Sequence, residues 1–132
     1  MNVHHQRRLI DEMIELFSVY GSFTRGKGAE DKNGKLVHYA DPTACKWCLS
    51  GGLLFGTHEL TKEDESGELF IELSDWGRCI IAEAIFGDVK ASPDYPITPT
   101  SATSVLVLWN DSKGRKRQDL VDLLKQVRRN LE

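Results

Sequence analysis

The chain has 132 residues, 40% apolar and 28% charged, and a net charge of −3 at pH 7. A single domain of this length buries roughly two thirds of the surface its unfolded chain exposes, so it needs no disulfide or metal to hold a core. No apolar run approaches the ~20 residues of a membrane span, and the opening MNVHHQRRLIDEM lacks the apolar stretch of a secretory signal, so the three cysteines are expected as reduced thiols of a cytoplasmic protein.

Residues 3–20 place Leu9, Ile10, Met13, Ile14, Phe17 and Tyr20 at spacings of three and four, which predicts an amphipathic helix stopped by Gly21. Phe23-Thr24-Arg25 and Leu36-Val37-His38-Tyr39 are short β-capable runs on either side of Asp31-Lys32-Asn33-Gly34. Asn-Gly favours a type I′ turn, and a two-stranded hairpin lying on the helices is expected here. Asp41-Pro42 has the chemistry of a helix start, an N-cap followed by proline at the first helical position, and predicts a helix through Cys45 and Cys48 to about Gly56. Gly51 and Gly52 inside it each cost ~1 kcal/mol against alanine, and close approach of another backbone would offset that.

Residues 57–67 are polar and read as a loop. The helical period returns with Leu69, Phe70, Leu73, Trp76, Ile80, Ile81, Ala84 and Ile85 and ends at Gly87, with Gly77 as a possible kink or break. Residues 88–100, with Pro93, Pro96 and Pro99, read as an ordered loop or crossover. Val105–Trp109 is ambiguous, a strand by its β-branched content or a short helix capped by the preceding Thr/Ser cluster. Residues 110–114 form a turn, and Leu120, Val121, Leu124, Val127 and Leu131 share one face of a last helix. The whole is predicted as an α+β fold, a mostly helical single domain over residues 1–132 with four or five helices and one β-hairpin.

Charge is uneven along the chain. Residues 59–75 hold seven carboxylates against Lys62 alone, and residues 113–132 hold seven lysines and arginines against Asp119, Asp122 and Glu132. Solvated helix faces account for such runs most simply. The sharper readings are head-to-tail self-association, or an anionic ligand at the basic end.

Two patterns stand out. One is T-x-G-x-x-A-x-D-x-x-G (Thr24 to Gly34), followed by Asp41 and by W-C-x-x-G-x-L (Trp47 to Leu53). The other is W-N-D-x-x-G-R (Trp109 to Arg115), followed by an acidic-led helix. Together they resemble an uncharacterised family of small bacterial and phage-encoded domains carrying W-C-x-x-G-A-L and W-N-D-x-x-G-R-T. The resemblance covers residues 20–55 and 105–127. It implies a shared fold and no particular activity. The chain departs from the pattern at Phe23, Arg25, Gly52 and Lys116, where the family tends to have Trp, Gln, Ala and Thr. The last change removes an N-cap, which leaves Ser112 or Asp111 to cap the final helix.

Several residues have the chemistry for a site. Cys45 and Cys48, three apart, would share a helix face, but a redox C-x-x-C puts its first cysteine at the helix N-terminus. With Cys79 and His58 they make a four-ligand zinc candidate, though without a second C-x-x-C. His4 and His5 are adjacent and diverge on a helix, a poor chelate. Cys48 as a nucleophile would need His38 or His58 as base, with Asn110 or Asp111 to orient it; the alternative is a small buried apolar residue. Trp47 and Trp109 are core plugs or a shared aromatic wall for a flat ligand. The basic helix start, Arg115, Lys116 and Arg117, is the leading anion site, with Arg25 as a further cation, because free helix N–H groups attract anions. It lacks the order of a P-loop, and no cofactor is expected. The chain's acidic balance makes general nucleic-acid binding unfavourable.

The first functional expectation is therefore a small non-catalytic binding or interaction module, for an anionic, phosphate-bearing small ligand or a protein partner, in a bacterial or phage accessory role. A cysteine-dependent enzyme using Cys48 and a structural homo-oligomer are the alternatives.

Overall fold

The computed structural model describes residues 2–87 and 98–132; the expected proline-rich crossover lies mostly outside them. Among the described residues, five helices and one two-stranded antiparallel sheet form a mostly helical α+β domain: α1 (Val3–Ser18), β1 (Ala29–Glu30), β2 (Lys46–Trp47), α2 (Leu49–Thr61), α3 (Glu68–Phe86), α4 (Pro99–Asn110) and α5 (Arg117–Asn130). No helix among the described residues is long and apolar enough to cross a membrane.

The apolar period of α1 becomes its buried face, Leu9, Ile10, Met13 and Phe17, and Asn2 caps its start by accepting from the His5 N–H at 3.1 Å. Tyr20, expected on the same stripe, falls beyond the helix end and is 93% exposed. Helix α5 runs antiparallel to α1, and an arginine clamps each end of the pair. Arg7 donates to the Leu131 carbonyl (2.9 and 3.1 Å), and Arg117 donates to the Phe17 carbonyl (2.9 Å). Both acceptors lie at helix C-termini, where carbonyls lack intrahelical partners and cations are favoured.

Helix α2 is the central element, packed on α1, α3, α4 and β2. Its start differs from expectation. Residues 41–48 do not open a helix: residues 42–43 form a turn, and the backbone from Cys45 to Cys48 is held extended by neighbours on both sides. Cys45 N–H donates to Glu30 O, Trp47 N–H to Ser22 O, and Cys48 N–H to Gly28 O, while Trp47 O accepts from Thr24 N–H. Asp41 closes a local turn by accepting from Thr43 N–H and Thr43 Oγ1. The helix therefore starts at Leu49 with Cys48 as its N-cap, and it continues to Thr61 through part of the stretch expected as loop.

The sheet also differs from the expected hairpin. β1 pairs with β2 in the register Ala29↔Trp47 and Glu30↔Lys46. The Asn33-Gly34 turn closes only a single bridge, Glu30↔Leu36, and Phe23 bridges Trp47 in parallel. Only Gly34 has positive φ there, +80°, so the turn is not type I′. Asp31 Oδ1 organises it instead, accepting from the Asn33 and Lys35 N–H groups.

Helix α3 is continuous through Gly77, whose missing side chain makes room for Leu53 and Leu9 of the neighbouring helices. Asp64 supports its first turn by accepting from Leu69 N–H at 2.9 Å. The ambiguous 105–109 run is helical, part of α4. Thr98 and Ser101 exchange side-chain-to-backbone bonds at its start, and Pro99 takes the first helical position.

The α2 glycines record close approaches. A Cβ on Gly51 would collide with the backbone carbonyl of Gly28, and one on Gly52 would lie 2.5 Å from the Phe17 ring. A backbone carbonyl held by the sheet has no room to yield, whereas the Leu53 methyl facing Gly77 belongs to a flexible side chain. Gly51→Ala is therefore expected to destabilise by about 3 kcal/mol despite its helix-propensity gain, and Gly77→Ala by about 1 kcal/mol. Urea denaturation of the two variants checks the order; equal losses would contradict the Gly28–Gly51 contact.

Candidate functional site

At the end of the bundle where α2 begins, three stretches distant in sequence converge. The carboxamide of Asn110, the last residue of α4, joins them. Its Oδ1 accepts from the Leu49 N–H at 2.8 Å, and its Nδ2 donates to Thr24 O at 3.2 Å and to Asp111 Oδ1 at 3.0 Å. Asp111 Oδ1 also accepts from the Gly26 N–H at 3.0 Å. Asn110 is 1% exposed, so its bonds to the Leu49 N–H and the Thr24 carbonyl form where water cannot replace them. The last turn of α4, the first turn of α2 and the Thr24–Gly28 segment are thereby tied at one point.

Between them lies a cleft of about 360 Å³. Gly26 to Ala29 and Val37 to Tyr39 form one wall, Cys48, Ser50, Gly51 and Leu54 of the α2 start another, and Val107, Asn110 and Asp111 the third. Its surface is mainly apolar with a few polar groups, the usual make-up of a small-ligand site. The sequence patterns supplied Gly26, Ala29, Cys48, Gly51, Asn110 and Asp111. They did not single out Gly28, Lys27, Ser50, Leu54 or Val107. Glycine spacing was the one available signal for Gly28; the others become neighbours only through the tertiary fold.

Cys48 is buried. Its sulfur accepts from the Gly51 N–H at 3.2 Å, the N-cap position usually held by a hydroxyl or carboxylate. Burial pushes its thiol up, outweighing the N–H groups of Gly51 and Ser50, and the Asp111 carboxylate adds to the rise. His38 lines the same cleft. Its Nδ1 accepts from the Ala40 N–H at 3.1 Å, which places the ring proton on Nε2, and its ring lies 4.1 Å from that of Tyr39.

The other candidates are dispersed. His58 lies on α2, edge-on to Tyr39 at 6.4 Å, Cys79 is on α3, and Cys45 is exposed ahead of β2. Cys45 and Cys48 share no helix face, since only Cys48 touches the helix. Among the described residues no three histidines, cysteines or carboxylates cluster as metal ligands, so Cys45, Cys48, Cys79 and His58 are not assembled into a zinc site. Trp47 stacks on Phe55 at 5.1 Å and donates from Nε1 to Tyr39 O. Trp109 instead lies beneath the Arg115 guanidinium, 3.7 Å from its ring centre, so the two tryptophans have separate partners.

The basic helix start has internal partners. Arg115 Nε donates to Trp109 O at 2.8 Å, Arg25 donates to the Arg115 carbonyl, and Arg117 reaches α1. The first N–H there, that of Lys116, donates to Asp119 Oδ2 at 2.8 Å. Asp119 therefore caps α5, in place of Ser112, which donates to Leu108 O, or Asp111, which holds Gly26.

Two outcomes test this geometry. Asn110→Ala strands the Leu49 N–H and the Thr24 carbonyl together, and is expected to cost about 3 kcal/mol in urea denaturation. At pH 7.5, iodoacetamide is expected to label exposed Cys45 well before Cys48, with Cys48 labelling still accelerating above the ordinary thiol range; mass spectrometry of tryptic peptides reads both. Comparison with protein-family models, curated proteins and solved structures returns no match for the chain.

Proposed function

We propose that the protein is a non-catalytic binding module, that its site is the cleft at the α2 start, and that its ligand is anionic with an apolar part. The charge distribution around the cleft is the observation that carries this. Residues 19–48 and 110–117, which build that end of the bundle, hold nine lysines and arginines against four carboxylates, in a chain whose net charge is −3. Arg25, Arg115 and Arg117 bond to neutral carbonyls, so their charge is not cancelled by the bonds they make. A positive field around an apolar, partly enclosed cleft attracts an anion and then gives it somewhere to bury apolar surface. A bacterial or phage accessory role accords with the resemblance of the two sequence patterns.

The cysteine-enzyme reading draws on Cys48 and His38 lining one cleft. It requires a thiolate, and burial and the Asp111 charge both oppose one.

Phenyl phosphate and benzylammonium are matched probes of opposite charge. In an amide NMR titration, phenyl phosphate is expected to shift Gly26, Gly28 and Gly51 saturably, and benzylammonium to leave them in place. Lys35→Glu, at an exposed position, should weaken phenyl phosphate by about three- to tenfold, on the order of 1 kcal/mol. Equal responses to both probes, or shifts scattered through the bundle, would overturn the assignment.

A further inference from the structure

Resting on that reading of the cleft, we infer that its occupant is an acidic segment of a partner protein, which inserts one apolar side chain into the cleft and lies along α4. A small molecule filling about 360 Å³ would leave the surroundings unexplained. Ser104, Val107, Leu108 and Asp111 recur at spacings of three and four along α4 and are all exposed, so they form one open face of the helix. Val107 is 41% and Leu108 73% exposed, and Val107 also lines the cleft. Across the cleft, Leu36 is 62% exposed beside the lining residue Val37. Single exposed apolar residues are ordinary, but here Val107 lines an apolar cleft, Leu108 shares its helix face, and Leu36 adjoins the lining residue Val37.

The chemistry of the partner follows from charge. Lys35 precedes Leu36, Lys113 follows the α4 face, and both are exposed; Arg25 lies beside Arg115 at the same end. A basic segment would be repelled by these cations, whereas an acidic one is steered in; the one carboxylate on the α4 face, Asp111, is already engaged by the Gly26 N–H and Asn110 Nδ2. The occupant therefore has the form of a short acidic stretch around one large apolar residue, the apolar side chain entering between Gly28, Gly51 and Val107 and the carboxylates facing the lysines.

A random dodecamer library displayed on phage, selected against the immobilised full chain, provides the test. Enriched peptides are expected to carry net negative charge and one recurring Leu, Phe or Trp. A synthetic copy of the leading peptide should lose about tenfold in affinity to Leu108→Glu and to Lys35→Glu, both at exposed positions, with the melting temperature of each variant held near that of the parent. Enriched peptides without net negative charge, or an affinity indifferent to Leu108→Glu, would overturn the proposal. Enrichment of nothing, with phenyl phosphate still shifting the Gly28 and Gly51 amides, removes the peptide partner and leaves the anion site. Enrichment of nothing together with no phenyl phosphate response removes the site as well.

Discussion

The structure depends on one buried carboxamide. Asn110 offers its oxygen to the first amide of α2 and its nitrogen to the carbonyl of Thr24, and both bonds lie out of reach of water. An aspartate in its place would keep an acceptor for Leu49 and lose the donor for Thr24, and would set a second carboxylate against Asp111. A leucine would fill the space and satisfy neither group. Only a side chain with a donor and an acceptor on one planar head can cap α2 and hold the Thr24–Gly28 segment at once. The same segment meets the α2 start again at Gly28, whose carbonyl accepts from the Cys48 N–H and lies against the backbone of Gly51.

A second constraint resolves an apparent conflict in the sequence. Three cations at the start of α5 oppose that helix's own dipole, and on the sequence alone an external anion is the natural reason for them. The fold supplies another. The start of α5 abuts the ends of α1 and α4, whose last carbonyls accept from Arg117 and Arg115. Two of the three cations, Arg115 and Arg117, are thus placed for the C-termini of neighbouring helices, and Asp119 relieves the N-terminus they crowd. Arg7 repeats the arrangement at the opposite end by donating to Leu131 O. Because the acceptors are neutral, the positive charge survives and remains available to a ligand.

What could be read in the sequence divides along the same physical lines. Helices α1, α3 and α5 were legible because each buries one face and exposes another, so apolar spacing records the helix directly. Helix α2 is apolar on most sides, and its spacing does not mark where it starts; the pairing of residues 45–48 with residues 22–30 decided that, overriding a good local start signal at Asp41-Pro42. Its glycines were legible as close approaches, but a backbone approaches only Gly51; at Gly52 the neighbour is the Phe17 ring. The strand partners were misread for a related reason. The Asn-Gly turn forms, but Trp47 draws Phe23 and Ala29 to itself, so the sheet joins residues far apart in the chain. The cleft was the least legible feature, since no local pattern relates Val37, Ser50 and Val107.

Cys48 shows how support and site are combined in the same residues. Sulfur is a weaker hydrogen-bond acceptor than a hydroxyl or carboxylate, so as an N-cap Cys48 gives up some helix stability. In exchange it presents a small apolar surface to the cleft where aspartate would present a charge. Asn110 compensates by taking the Leu49 amide, so α2 starts with two of its free N–H groups satisfied from different sources. The glycines do the same for shape: Gly51 permits the contact with Gly28 that closes the cleft floor. A cleft assembled from the groups that hold the fold together is preformed, so a ligand of the proposed kind would order little of the protein. The chain thus accepts a weaker cap and two costly glycines in its central helix, where Cys48 and Gly51 form part of an apolar cleft at the positively charged end of an acidic protein.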